Sequence, residues 1–188
     1  MNKSLALVTI AAVALLIGLG VQTFDVSEQL SLRKNLQVPV TVPYVDVNQY
    51  LGVWYEQAVI PFYFERGCSK TFATYSLNTD KTIKVNNTCT RNGRPTSSIG
   101  KAIAEDSTNS KLKVEFIQTL DIGGQYWIVR LGENYSYSVV SSPDYKYLWI
   151  LSRVQNMPET LYQSIIADLK KDNFPVEKLV RTQQWLLY

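Results

Sequence analysis

The strongest constraint on the fold of this chain is alternation. Leu112, Val114 and Phe116 are separated by Lys113 and Glu115, Ile83 and Val85 alternate with Lys84 and Asn86, and Ala73, Tyr75 and Leu77 alternate with Thr74 and Ser76. A period of two puts one set of side chains on a dry face and the other in water, which is the pattern of a strand. Turn-forming clusters interrupt it at short intervals: Asn78-Thr79-Asp80, Asn92-Gly93-Arg94-Pro95, Asp106 to Ser110, Gly123-Gly124, Gly132-Glu133-Asn134 and Ser142-Pro143-Asp144. Reading between them predicts eight strands, near 52–60, 70–78, 82–90, 96–104, 111–118, 125–131, 135–141 and 145–153. Connections this short make neighbouring strands antiparallel.

One segment breaks the period. Asn156 is the expected N-cap of a helix, with Pro158 and Glu159 in its first turn and Leu161, Ile165 and Leu169 as its apolar stripe. Lys170 and Lys171 sit where a helix carboxyl end favours positive charge. A last short strand is expected near 178–185, after Phe174-Pro175. The expected architecture is all-β: an eight-stranded antiparallel up-and-down barrel, whose closure removes exposed edges, with one C-terminal α-helix and a short final strand. A two-sheet sandwich would need long crossovers, and no gap between strands is long enough.

The amino end reads differently. Lys3 precedes an uncharged apolar run from Leu5 to Val21, and Asp25 and Glu28 follow it. That charge order exports what comes after. Residues 1–21 are expected to be a signal peptide or signal anchor, 22–43 a linker or irregular lead-in, and 44–188 the barrel domain. If the leader stays uncleaved, residues 5–21 would tie the protein to a membrane with the barrel on the non-cytoplasmic side; otherwise it is secreted or periplasmic. Cys68 and Cys89 are the two cysteines of the chain. An even count in an exported protein makes a disulfide the default, with two free buried thiols as the alternative.

Composition excludes several functions. The 188 residues include no histidine, which removes Ser–His–Asp and Cys–His catalysis, His-ligated haem and nearly every catalytic zinc site. A net charge of +3 is too small for a surface that must neutralise many phosphates, so no nucleic-acid partner is expected. No metal or cofactor is expected either. Asp144, Glu65 and Arg66 are loop charges, expected to be solvated and not to form an acid–base pair.

Against that background one set of motifs stands out. Tyr50-Leu51-Gly52-Val53-Trp54-Tyr55-Glu56 is followed by Phe64-Glu65-Arg66-Gly67, then by Ala73-Thr74-Tyr75-Ser76-Leu77, and much later by Pro143-Asp144-Tyr145-Lys146-Tyr147-Leu148-Trp149-Ile150-Leu151-Ser152-Arg153. In this order and spacing the set resembles the lipocalins, in particular the branch containing bacterial lipocalin and apolipoprotein D. The resemblance covers about residues 44–185. It implies a structural barrel floor in which Gly52 and Trp54 match the first-strand motif and Arg153 matches the arginine that stacks on the indole. Pro143-Asp144-Tyr145 stands where the family's middle motif would shape a closed-end loop. The lipidated cysteine of the bacterial members has no counterpart, so their mode of membrane attachment does not carry over.

With Trp54 inward, alternation carries Glu56 and Ala58 inside as well. The resemblance then implies a calyx lined by Ala58, Ala73, Tyr75, Val85, Val114, Phe116, Tyr126, Tyr147 and Trp149. An eight-stranded barrel can hold one small ligand or be filled by its own side chains, and composition does not choose between them. The expected function is binding, with transport or sequestration, of one small hydrophobic ligand such as a fatty acid, lysophospholipid or sterol, without catalysis. A lipocalin-fold enzyme acting on a bound lipid or pigment, and a solid-barrel interaction protein, are the alternatives.

Overall fold

In the computed structural model of the chain, residues 38–116 and 123–184 are described. The expected leader, most of the expected lead-in and the end of the fifth strand lie outside them. Eight strands follow in order: β1 (Gly52–Val59), β2 (Cys68–Leu77), β3 (Ile83–Arg91), β4 (Arg94–Ala104), β5 (Lys111–Phe116), β6 (Gly123–Leu131), β7 (Tyr137–Ser141) and β8 (Leu148–Ser152). Each pairs antiparallel with the next, and β1 pairs with both β2 and β8, so the sheet closes into a barrel. A short strand β9 (Val180–Arg181) adds to the free stretch of β1, with Ala58 opposite Arg181.

Strand parity assigns the two ends. The β2–β3, β4–β5 and β6–β7 turns lie at the end where β1 starts and β8 stops; the other four connections lie at the opposite end. The lead-in and a short helix α1 (Val47–Tyr50) cover the first end. There the Val42 amide donates to Ile128 O at 2.9 Å, that of Val45 to Thr108 O at 2.8 Å, and that of Asp46 to the Tyr135 hydroxyl at 2.7 Å. The β6–β7 turn, Gly132–Ser136, brings Tyr135 to this closed end. Pro143-Asp144-Tyr145 lies in the β7–β8 turn at the open end, which corrects the motif assignment made from the sequence.

The helix is α2 (Glu159–Lys171), and its buried residues are Tyr162, Ile165 and Leu169, with Leu161 on the edge of the stripe. Pro158 occupies the N-cap and makes no side-chain capping bond, so Asn156 is not the cap that the sequence suggested. The helix packs on the outside of the barrel against Ala58, Val129, Val139, Leu148 and Ile150. β8 is therefore dry on both faces: Leu148 and Ile150 look toward the helix, Leu151 into the barrel. A bulge between Ile128 and Arg130 turns Arg130 outward as well, where its guanidinium bridges Asp168 of α2 and Asp172, the residue that caps its carboxyl end.

Candidate ligand-binding site

The closed end is built on Trp54, which has no exposed surface. Its indole N–H donates to Tyr50 O at 2.8 Å, and the Tyr50 ring lies 4.9 Å from it. The Arg153 guanidinium sits over the ring, 3.8 Å from its centroid. Gly52 has φ +94°, and a Cβ there would come within 3.4 Å of Arg153 Nη1, so the position suits glycine on both counts.

Above the indole, hydroxyls join in a chain. The Tyr50 hydroxyl is 2.9 Å from Ser138 Oγ and 2.8 Å from that of Tyr126, which is 3.1 Å from that of Tyr75. Burial pushes the Tyr50 phenol up to about 12, and the Tyr75 and Tyr126 phenols are raised for the same reason. All three are neutral hydrogen-bonding groups at physiological pH. Tyr50 was not singled out from the sequence; its place four residues before Trp54 was the available signal.

Below this chain the barrel is filled by Trp54, Ile83, Ala102, Leu112, Ile128 and Val140. Above it lies a cavity of about 370 Å³. Ala73, Tyr75, Val85, Val114, Phe116, Tyr126, Tyr147 and Trp149 all line it. Tyr147 and Trp149 are stacked, with centroids 5.8 Å apart, and Phe62 meets both edge-on at 5.5 and 5.7 Å. The Cys68–Cys89 disulfide ties β2 to β3 beside the cavity.

Ala58, the ninth residue expected in the lining, is not there. The β1–β8 register slips between Glu56 and Ala58, so Gln57 and Ala58 both face outward and Ala58 is sealed beneath α2. Gln57 explains the bulge. Its side-chain amide donates to Val154 O and Gln155 O at 3.3 and 3.2 Å and accepts from the Met157 amide at 3.1 Å, anchoring the loop that enters the helix. Glu56, before the bulge, stays inside as alternation predicts.

Glu65 corrects another expectation. The turn Tyr63–Glu65 folds its glutamate inward, and Glu65 lines the cavity with Glu56 instead of being solvated. Thr182 Oγ1 donates to Glu56 Oε1, and Trp149 lies beside the Glu65 carboxyl. Burial raises the pKa of both carboxyls, and for Glu65 the facing Glu56 raises it further. The pair therefore holds a proton more tightly than surface glutamates do. No three His, Cys, Asp or Glu side chains converge on a metal site among the described residues.

The Lipocalin-like domain family model matches residues 45–184, the whole barrel with its helix and final strand. The chain belongs to the lipocalin family. It is 37% identical over 142 residues to the outer membrane lipoprotein Blc of Escherichia coli, covering 74% of this chain and 79% of that one. To apolipoprotein D of Bos taurus it is 34% identical over 147 residues, covering 74% and 77%. The bacterial and apolipoprotein D relatives are thus both among its curated matches. In fold, this lipocalin superposes on the cockroach allergen Per a 4 with a TM-score of 0.62 at 19% identity, covering 79% of this chain and 94% of that structure.

Proposed function

We propose that this lipocalin takes one small apolar molecule into its calyx and carries or sequesters it. The observation that carries the reading is the open-mouthed cavity of about 370 Å³, walled by Phe72, Tyr75, Val114, Phe116, Tyr147 and Trp149 above a solid floor. It falls within the size range of small-molecule sites, roughly 300–1,000 Å³, and its lining surface is mostly apolar, as theirs is. A chain burying about twelve methylenes at about 0.8 kcal/mol each gains near 10 kcal/mol gross. Immobilisation takes back part of this, which leaves micromolar to nanomolar affinity.

The role we read is binding: the chain has no histidine, and the ionisable side chains of the lining, its phenols apart, are Glu56, Glu65 and Arg91. The Cys68–Cys89 bridge and the basic-then-apolar amino end support an exported role. The test is mass spectrometry of lipids that co-purify with the protein expressed through its natural export route. A stoichiometric apolar species, lost when Phe116 is replaced by Glu, is expected. Recovery of protein that is empty and refuses every lipid probe would favour an interaction role for the loops.

A further inference from the structure

Within the calyx reading, the geometry points to a narrower ligand class. We infer that the Glu56–Glu65 pair receives the ligand's polar head, and that the calyx selects amphiphiles whose head donates hydrogen bonds, a protonated amine foremost.

Three charged side chains line the cavity among the described residues: Glu56 on β1, Glu65 in the β1–β2 turn and Arg91 on β3. Nη2 of Arg91 lies 3.5 Å from Cys68 Sγ. The phenols of Tyr75 and Tyr126 are engaged with each other in the hydroxyl chain. Of the two carboxyls, Glu56 is 4% exposed and has Oε1 taken by Thr182. Oε2 of Glu65 is fully buried, and no hydrogen-bond donor reaches it.

A buried carboxyl oxygen without a donor is costly. Two things can supply one. The first is a proton that Glu65 itself carries and shares with Glu56, the resting state that the raised pKa values describe. The second is a ligand N–H or O–H. An ammonium group brings three donors and a positive charge, so it can donate to the free oxygen while the shared proton stays, and neutralise a pair that carries one negative charge. An alcohol brings one donor and no charge. A carboxylate head would face two acidic groups across a low-dielectric cavity, where like charges repel strongly. The Phe62, Tyr147 and Trp149 rings beside the pair add π faces that favour a cation.

The experiment is displacement of the neutral apolar fluorophore N-phenylnaphthylamine from the whole protein by dodecylamine, dodecanol and dodecanoate near neutral pH. These differ only in the head. Dodecylamine is expected to displace the fluorophore at about tenfold lower concentration than dodecanoate, with dodecanol between them. Glu65→Gln should bring amine and carboxylate together, with each potency referred to that variant's own affinity for the fluorophore, and Glu56→Gln serves as the second variant. Equal potency of the two in the wild type, or a preference that survives both substitutions, overturns the proposal. A preference for dodecanoate overturns it too and moves the head to Arg91. If neither the fluorophore nor any of the three binds, the calyx reading itself fails, a different result from binding without head selectivity.

Discussion

The Arg153 guanidinium lies 3.8 Å above the Trp54 indole and donates from Nη1 to Val53 O at 2.9 Å and from Nη2 to Gln49 O at 2.6 Å. One side chain thus joins the end of β8 to the start of β1 and caps the floor. Trp54→Ala should lower stability by about 3–5 kcal/mol, the usual loss for a buried aromatic. A double-mutant cycle with Arg153→Met should return a coupling of about 0.5–2 kcal/mol by urea unfolding. Additive single losses would mean that the stack itself contributes nothing.

Ala58 sits under α2, not in the calyx. Ala58→Phe should overpack the barrel–helix contact and cost about 1–3 kcal/mol. Ligand affinity of the surviving folded fraction should be unchanged. A changed chain-length preference with normal stability would place Ala58 inside after all.

Phe116 tests the cavity from the other wall. Phe116→Ala should keep the fold, enlarge the cavity and shift preference toward bulkier chains. Phe116→Glu should abolish binding, because an unpaired buried ion costs several kcal/mol. Lys113 is exposed and paired with Glu115 at 2.9 Å on the outer face. Lys113→Glu should therefore leave binding untouched, and an equal loss at both positions would put the ligand outside the barrel.

The carboxyl pair makes stability depend on pH with a definite sign. Glu56 is raised to about 7 and Glu65 to about 8, so the folded state holds protons that the unfolded chain releases near the ordinary ~4.3. Their contribution is complete below the unfolded value and is lost as pH rises through the folded values. Glu65→Gln, which cannot ionise, should gain melting temperature relative to wild type as pH rises from about 5 to about 9. A constant difference across that range would show that Glu65 titrates like a surface carboxylate.

Cys68 and Cys89 close a loop with a sequence separation of 21, worth roughly 3.4 kcal/mol in the chain-entropy model. Alkylation without reductant should therefore modify no thiol, and Cys68→Ser with Cys89→Ser should lower the urea midpoint. Two labelled cysteines in the exported protein would remove the bridge.

Much of the molecule is written locally. Strand alternation, turn residues and the apolar stripe of the helix each involve neighbours a few positions apart, so strands, helix and most of the inward set could be read directly. The motifs around Trp54 and Arg153 carried the floor. The misses share a cause. Asn156 competes for the cap on its own chemistry, but the chain between β8 and α2 is held instead by Gln57, nearly a hundred positions earlier.

Alternation along β1 and β8 set which side chains face in, because pleating has a period of two whatever lies opposite. The sequence by itself therefore determined the barrel, its floor and eight of the nine side chains expected around the cavity. Tertiary structure alone decided the rest. The bulge at Gln57 turned Ala58 outward because a distant loop needed that amide. The closure of the β1–β2 turn over the mouth brought Glu65 against Glu56, and the return of the C-terminal segment placed Thr182 on Glu56. Each is a long-range pairing whose partners carry no mark of one another in the chain, and together they gave an apolar cup its polar end.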